Sequence, residues 1–247
     1  MIMAEFNLKI AGHVGRVHSR FDSTKDYCRN YLTEDDAEFE VVVTPEDLAF
    51  EQAELLAEAK AEGMKPRKFT DPFLDRAAIQ RKFADYLFDH DVLLCHGSTV
   101  AVDGRAYLFT ARCGTGKSTH TRLWREVFGE RAQMVNDDKP FLILTENDVL
   151  ACGAPWSGKH GLDTNITVPL AGICILERGP ENIIRPIPAE EALPRLLHET
   201  HCPEGQEARF RELVERLANR TNLWRMECTK DKEAAEAAHR IMQTAEC

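Results

Sequence analysis

The sequence lacks the features of a membrane or secreted protein. Its 247 residues contain no apolar run long enough to span a bilayer, and no N-terminal segment in which basic residues precede an apolar stretch. Basic residues are also scarce, since 31 Lys and Arg face 41 Asp and Glu and give a net charge of −10. Broad electrostatic binding of nucleic acid requires clustered basic surface and is not expected. We predict a cytoplasmic chain that binds neither a membrane nor nucleic acid.

Paired cysteines are absent as well. The eight cysteines are scattered without a Cys-x-x-Cys pair, which favours reduced thiols over a disulfide framework. Internal repeats and low-complexity tracts are also missing, so a repeat architecture is excluded. The composition, 43% hydrophobic and 29% charged, is that of an ordinary globular protein, and the length suits one large α/β domain with a small appendage.

The chain does contain a glycine-rich stretch at residues 111–119, Ala-Arg-Cys-Gly-Thr-Gly-Lys-Ser-Thr. It follows an apolar run at 106–110 that predicts a buried strand, and it opens onto residues 119–128, whose apolar positions have helical spacing. Gly114 and Gly116 can adopt backbone angles denied to other residues, so that successive N–H groups turn toward phosphate oxygens. The helix N-terminus adds partial positive charge at the same place. Strand, loop and helix together indicate a phosphate-binding loop.

The stretch matches the Walker A pattern Gly-x-x-x-x-Gly-Lys-[Ser/Thr] except at its first position, which is Ala111. In such loops the lysine, here Lys117, reaches the terminal phosphates of ATP, and the hydroxyl of Ser118 is placed to ligate Mg²⁺. The alternative is an ordinary strand-to-helix turn, which the intact Gly-Lys-Ser core disfavours. The predicted nucleotide-binding residues are Cys113, Gly114, Thr115, Gly116, Lys117, Ser118 and Thr119.

Cys113 stands inside this loop, and two interpretations of it stay open. A thiol at a phosphate site can be oxidised or alkylated with loss of nucleotide binding. Alternatively, Cys113 fills the loop as a small residue, which is the more ordinary role of a lone cysteine.

Two adjacent carboxylates, Asp137 and Asp138, end a predicted strand at 132–138. An acid at a strand end beside a phosphate loop is placed to hold Mg²⁺, directly or through water. Two acids there can divide the work, because one binds the metal while the other accepts the proton of an attacking hydroxyl. Asn-Asp-Asp is also turn chemistry, so a simple turn is the alternative.

The first part of the chain predicts a small α+β region. Residues 6–10 and 39–44 have strand patterns, and the segment between them includes a predicted turn at 22–25. One helix is predicted at 44–62, with a threonine N-cap followed by proline, and a second at 72–89.

The remainder predicts a mixed sheet with C-terminal helices. A strand at 91–97 is followed by a hairpin with the turn Asp103-Gly104, so the strand before the glycine loop has an antiparallel neighbour. An all-parallel sheet is therefore not expected. Further predicted elements are a hairpin at 141–152, strands at 168–176 and 222–226, and helices at 189–198, 203–219 and 231–245. We divide the chain into residues 1–90, a substrate-recognition domain or a cap, and a core at 91–247.

His96-Gly97, the glycine loop and Asp137-Asp138 occur in an order and at spacings that resemble the HPr kinase/phosphorylase-like branch of phosphate-loop kinases, which is akin to ATP-dependent phosphoenolpyruvate carboxykinase. The resemblance covers roughly residues 90–178, and more weakly to about 226. It implies an α/β fold of that type, with a mixed, largely antiparallel sheet flanked by helices.

The resemblance also implies roles for individual residues. Lys117 becomes the phosphate ligand, and Ser118 with Asp138 forms the Mg²⁺ site. Asp137 becomes the base that takes the proton of a serine-type hydroxyl. His96 becomes a residue that either supports the site residues from behind or contacts the substrate.

Lys159, in the loop at 155–161, would supply a further cation to the transferring phosphoryl group, although exposed lysines are usually just solvated. For His96 the alternative is a structural histidine at a strand end. The glycine–asparagine-rich C-terminal loop of true HPr kinases is absent, so the HPr protein is not the expected acceptor. The carboxykinase ligands for oxaloacetate and manganese are also absent, so decarboxylation is not expected.

These features predict a kinase that uses ATP and Mg²⁺ to phosphorylate a hydroxyl, either of a small metabolite or of a seryl residue in a peptide or protein. Two other functions stay open. One is a nucleotide-binding regulatory module that senses ATP without turnover, and the other is a slow ATPase. The sequence leaves the acceptor undetermined, and a homo-oligomer is neither required nor excluded.

Overall fold

The computed structural model describes residues 3–61, 63 and 65–244, and its contacts divide the chain into two units, Met1–Leu87 and Phe88–Cys247. The role predicted for residues 1–90 stays a prediction. Among the described residues, no helix is both long and apolar enough to cross a bilayer.

The first unit contains a three-stranded sheet and three α-helices. They are β1 (Ala4–Ile10), β2 (His13–Ser19), α1 (Asp22–Tyr27), β3 (Phe39–Val42), α2 (Pro45–Ala61) and α3 (Asp71–Phe88), with a 3-10 turn at Arg29–Tyr31. Strands β1 and β2 pair antiparallel, whereas β2 and β3 pair in parallel. The two predicted strands and the two predicted helices are confirmed within a few residues. Residue 62, the last of the first predicted helix, lies outside the described residues.

Helix α2 begins with the predicted cap. The backbone N–H and the hydroxyl of Thr44 donate to Asp47 Oδ2 at 2.9 and 3.1 Å, and the N–H of Asp47 donates back to Thr44 Oγ1 at 3.3 Å. This reciprocal arrangement satisfies amide donors that a helix N-terminus otherwise leaves unpaired.

The turn predicted at 22–25 is wrong, because these residues form α1. The reason is a tertiary contact that turn chemistry does not show. Thr24 is fully buried, and its hydroxyl donates to Asp75 Oδ2 of α3 at 2.7 Å. Asp75 also accepts the hydroxyl of Ser19 at 2.7 Å and the N–H of Arg20 at 3.0 Å.

The second unit is built on a nine-stranded sheet. Its strands are β4 (Val92–Leu94), β5 (Ser98–Val102), β6 (Arg105–Thr110), β7 (Ala132–Asn136), β8 (Phe141–Leu144), β9 (Val149–Cys152), β10 (Thr167–Arg178), β11 (Ile183–Pro186) and β12 (Leu223–Cys228). Its helices are α4 (Lys117–Phe128), α5 (Ala189–His198), α6 (Glu207–Arg220) and α7 (Lys232–Met242), with a 3-10 turn at Gly129–Arg131. Strands β2 and β11 and helix α1 were not predicted, whereas the other strands and α-helices of both units lie at or near the predicted positions. Residue 245, the last of the final predicted helix, lies outside the described residues.

The strand order β4-β8-β9-β10-β6-β5-β7 confirms a mixed, largely antiparallel sheet. Among the described strands, β10 pairs in parallel with β6 and with β12, and the remaining pairs of this sheet are antiparallel. The predicted hairpin between β5 and β6 is present, and its turn residues Asp103 and Gly104 both have positive φ, 51° and 80°. Because β6, β10 and β12 run in parallel, their carboxyl ends meet at one edge of the sheet.

Apolar residues cover both faces of this sheet, because successive residues of a strand point to opposite faces. Leu108 of β6 packs in a cluster with residues of α5 and α6, such as Val214. Its neighbour Phe109 packs on the other face against Trp124 of α4, with 5.3 Å between ring centroids. Burial on both faces anchors β6 and α4, the two elements that flank the glycine loop.

Asp75→Ala removes the acceptor shared by two buried hydroxyls and one backbone amide of the first unit. We expect it to lower the free energy of unfolding of this unit by about 2–4 kcal/mol, because the buried Thr24 hydroxyl and the Arg20 amide lose their acceptor. The Ser19 hydroxyl keeps only the carbonyl of Phe21. Urea denaturation with hydrogen exchange in β2 measures the loss. Asp36→Ala, at an exposed position, is the matched control. Equal stability of the two variants would contradict the assignment.

Candidate active site

The glycine loop, defined here as residues 111–116, joins the end of β6 to the start of α4. Gly114 has φ 74° and Gly116 has φ 127°, in the region that side chains rarely adopt. A Cβ placed on Gly114 would meet no other atom within 4 Å, so the backbone conformation and not the available space requires glycine there. The first amides of α4 have no carbonyl partner within the helix, as at any helix N-terminus, and this makes them suitable donors to an anion.

Arg178, the last residue of β10, is hydrogen-bonded to this loop. Its Nη2 donates to the carbonyl of Gly114, and its Nε donates to the carbonyl of Thr115 at 3.3 Å. Both loop carbonyls are thereby engaged by a neighbouring strand. The sequence reasoning missed Arg178, since an arginine at the end of an apolar strand belongs to no motif.

Lys117 is buried, although it is the first residue of α4. Its Nζ donates to the carbonyl of Ala111 at 3.0 Å, so the ammonium group lies across the start of the loop. Burial lowers the pKa of Lys117, and the nearby carboxylates of Glu199 and Asp138 partly oppose that shift. The predicted phosphate ligand and the second predicted acid are therefore close enough to interact.

Asn136, the last residue of β7, holds the acidic pair in place. Its Oδ1 accepts the N–H groups of Asp138 at 2.8 Å and Lys139 at 2.6 Å, which closes a tight turn. Its Nδ2 donates to the carbonyls of Ala154 at 2.8 Å and Trp156 at 3.3 Å. The turn predicted as the alternative is therefore real, and it serves to orient the two acids.

Asp137 is almost completely buried. Its Oδ1 accepts the N–H of Gly158 at 2.6 Å, whereas its Oδ2 has no hydrogen-bond partner among the described residues. A Cβ on residue 158 would lie 3.2 Å from Oδ1, so glycine permits this close approach. Burial raises the pKa of the Asp137 carboxyl above its ordinary value, which makes it a better proton acceptor than a solvated aspartate.

Asp138 has the opposite electrostatic environment. Its side chain is 36% exposed, and its Oδ1 lies 3.4 Å from His96 Nε2. Burial tends to raise the pKa of Asp138, but His96, Lys139 and Lys117 outweigh it and keep the pKa below its ordinary value. Adjacent carboxyls with pKa values moved in opposite directions are suited to different roles, one as base and one as permanent anion.

His96 lies between two carboxylates. Its Nδ1 lies 3.0 Å from Glu199 Oε2, opposite the contact with Asp138. Burial disfavours the charged imidazolium, but Asp138 and Glu199 outweigh it and raise the pKa of His96. The neighbouring N–H of Gly97 donates to the carbonyl of Asp138 at 2.9 Å, so both residues of the His-Gly motif contact the acidic pair.

Glu199, at the end of α5, was missed. Its carboxylate contacts His96, and it also accepts a hydrogen bond from Arg195 at 2.9 Å. Burial opposes its charge, but His96 and Arg195 outweigh it and lower the pKa of Glu199 to about 2. A single glutamate in an acidic chain gives no signal in the sequence, because its partners come from distant segments.

The other predicted residues differ in their placement. Cys113 is exposed, while Ser118 and Thr119 are half-buried in the first turn of α4. Lys159 is exposed on its loop. Within the described residues, this loop reaches Asp137 through the N–H of Gly158 and not through Lys159.

Comparisons with known proteins add little to this geometry. No protein-family model and no curated protein matches the chain. The solved structure of the Hpr(Ser) kinase/phosphatase from Coxiella burnetii aligns with 62% of this chain and 99% of its own, at 11% identity and a TM-score of 0.36. Similarity at that level carries no conclusion about fold or activity.

Asn136→Ala removes four hydrogen bonds of a fully buried amide. We expect the free energy of unfolding to fall by about 2–4 kcal/mol, because buried backbone groups of the 136–139 turn and of the 154–156 segment lose their partners. Urea denaturation measures the change. Asn219→Ala, at an exposed helical position, should leave stability within about 0.5 kcal/mol. An unaffected Asn136→Ala variant would refute the orienting role.

Glu199→Gln tests the charge network through its pH dependence. Folding lowers the pKa of Glu199 from 4.5 to about 2, so its stabilising effect is full above the first value and is lost as pH falls toward the second. The variant should be less stable than wild type by about 1–3 kcal/mol near pH 5.5, and the gap should shrink by about pH 3. Urea titrations at the two pH values measure this. Glu204→Gln, an exposed control, should show no such trend, and a gap that widens in acid would disprove the network.

Proposed function

We propose that this chain is an ATP- and Mg²⁺-dependent phosphotransferase that phosphorylates a hydroxyl, either of a small metabolite or of a seryl residue in a peptide or protein. The observation that carries the proposal is the pair Asp137 and Asp138, whose pKa values move in opposite directions beside a lysine-bearing glycine loop. A loop that binds phosphate alone has no need of a buried, weakly acidic carboxyl next to a charged one.

The phosphates of ATP fit the glycine loop. Gly114 and Gly116 have the positive φ that lets backbone N–H groups converge on an anion, and α4 adds its N-terminal amides. Lys117 is the nearest cation, and its Nζ is held by a carbonyl that a phosphate oxygen can replace as acceptor. These residues bind and orient the nucleotide, with Lys117 countering the charge of its terminal phosphates.

Mg²⁺ fits the donor set as a partner of the nucleotide. The described residues contain no cluster of three or more His, Cys, Asp or Glu that would hold a metal ion by itself. Mg²⁺ in phosphoryl-transfer sites needs one or two protein oxygens, because phosphates and water complete its shell. The Ser118 hydroxyl and the Asp138 carboxylate would hold it. When bound, the ion neutralises charge on the phosphate oxygens.

Asp137 acts as the base in this proposal. Its Oδ2, which is buried and has no hydrogen-bond partner among the described residues, would accept the proton of the acceptor hydroxyl, while Gly158 fixes the carboxyl through Oδ1. The hydroxyl oxygen forms the new bond to phosphorus, the bond from phosphorus to the bridging oxygen of ADP breaks, and the proton stays on Asp137 until solvent removes it. His96 and Glu199 keep Asp138 ionised and oriented. Lys159 and residues 1–90 are the candidates for additional charge neutralisation and for acceptor recognition.

Asp137→Asn should lower the rate of phosphoryl transfer by about 100-fold or more, because an amide cannot accept the proton. Affinity for ATP should stay within about twofold, since the Asp137 carboxylate is hydrogen-bonded to Gly158 and not to the glycine loop. The assay is ³¹P NMR with Mg²⁺·ATP and a pool of hydroxyl metabolites and serine peptides, together with ATP titration. Asp148→Asn, at an exposed position on the turn after β8, is the matched control.

The outcomes separate the competing functions. A new phosphoester with wild type and the control, and its loss in Asp137→Asn, supports the kinase. An ester of equal yield in Asp137→Asn rejects Asp137 as base. ATP binding without an ester indicates the sensor, and free phosphate without an ester indicates the ATPase.

A further inference from the structure

Exposed large apolar side chains are concentrated in the first unit, which holds seven of the eight found among the described residues. Two of the seven, Phe50 and Leu56, belong to helix α2 and are 45% and 36% exposed. Scattered exposed apolar residues are normal on any protein, whereas a continuous apolar face marks an interaction site. Helix α2 has such a face.

The outward side of α2 is apolar along most of its length. Five residues at helical spacing form it, and all five are exposed: Ala49, Phe50, Ala53, Leu56 and Ala57. Ala53 is at the centre, because the other four lie three or four positions before and after it and are therefore its neighbours on the helix surface. These five residues are called the α2 face below.

The opposite side of α2 attaches the helix to its own unit largely through polar groups. All residues of α2 are described, and among them only Glu51 is buried. Arg81 of α3 donates to Glu51 Oε1 at 2.6 Å and to Asp47 Oδ1 at 3.1 Å. Leu48 and Leu55 are half-buried on the same side. A surface helix ordinarily turns its apolar side inward, so the reversed arrangement of α2 indicates a partner for its outward side.

We propose that the α2 face binds the α2 face of a second copy of this chain, with the two helices antiparallel about a two-fold axis at Ala53. The order of the residues decides the choice of partner. In this pair Phe50 lies opposite Ala57 of the second copy, and Leu56 lies opposite Ala49 of the second copy. Each large side chain therefore meets a small one, and each contact occurs twice, as a two-fold interface between identical surfaces requires. This inference is independent of the proposed function.

The charges at the two ends of the α2 face are complementary as well. Glu46 and Lys60 lie about two helical turns before and after Ala53, and both are exposed. In the antiparallel pair Glu46 of each copy lies beside Lys60 of the other. A parallel pair would bring like charges together at both ends, so these charges select the antiparallel arrangement.

The ring of Phe50 is already oriented for this contact. The guanidinium of Arg81 lies 4.6 Å from the centre of the ring and covers one side of it, so that the other side is open to the second copy. A side chain fixed before association loses less conformational entropy when the dimer forms.

The length of the α2 face sets the expected strength of the dimer. Glu46 and Lys60 are about 21 Å apart along the helix axis, at about 1.5 Å per residue. A single helix pair of this length buries less than the roughly 1,200 Å² of a standard interface. We therefore expect a weak dimer, with a dissociation constant of about 10–100 µM.

Sedimentation equilibrium of the full chain, at concentrations from about 1 to 300 µM, measures the dimer. Ala53→Glu places a carboxylate from each copy at the two-fold axis and should weaken dimerisation by about tenfold or more. Ala208→Glu, the same change at an exposed position of α6, should leave the dissociation constant within about twofold. Thermal melting verifies that each variant folds.

Charge reversal tests the antiparallel arrangement. Glu46→Lys and Lys60→Glu should each weaken dimerisation by about threefold or more, because like charges then lie together at both ends of the pair. The double variant should return the dissociation constant to within about twofold of wild type, since opposite charges meet again. Such a restoration is specific to pairing between two copies of the same helix.

Three results overturn the proposal. They are a wild type that stays monomeric up to about 300 µM, an unchanged dimer in folded Ala53→Glu, and a double charge-reversal variant no stronger than the single variants. A monomeric wild type that floats with vesicles of phosphatidylcholine and phosphatidylglycerol, while Ala53→Glu does not, would assign the α2 face to a lipid surface instead.

Discussion

Burial of charge at one edge of the sheet is the constraint on which the candidate site depends. Lys117, Asp138, His96 and Glu199 alternate in sign, and each loses solvation that its neighbours replace. Buried charge networks rarely give a fold more stability than apolar residues of similar volume would give in their place. The position of this network beside the glycine loop suits the anion binding and proton transfer proposed for this site.

Strand β10 makes this arrangement possible. Its first residues pair with β9, and its last residues pair with β12. Strands β9 and β12 therefore share one edge of β10, and β6 pairs along its other edge. The close pairing with β12 depends on Gly172, because a Cβ there would lie 2.1 Å from the ring of Trp224. In consequence three parallel strands end together inside an otherwise antiparallel sheet. The glycine loop and Arg178 lie at that edge.

Local motifs account for what the sequence predicted. The loop around Lys117 and the pair after β7 are contiguous, and their neighbouring strands have strong patterns, so residue order alone indicated them. Glu199 and Arg178 could not be found in this way, because each acts on a partner more than sixty residues away in the chain. Helix α1 was missed for the same reason, since a buried aspartate of α3 stabilises it. Long-range polar contacts leave no periodic trace.

The different environments of Asp137 and Asp138 follow from the turn at the end of β7. Asp137 and Asp138 follow the last residue of β7 in the turn that Asn136 closes, and their side chains lie in different environments. The amide of Asn136 fixes the turn, and Asp137 is directed toward Gly158 while Asp138 faces His96 and its associated cations. The pKa of Asp137 is raised and that of Asp138 is lowered, although the two aspartates are consecutive residues. The same turn gives two chemically identical, adjacent aspartates different surroundings, one beside Gly158 and one beside His96.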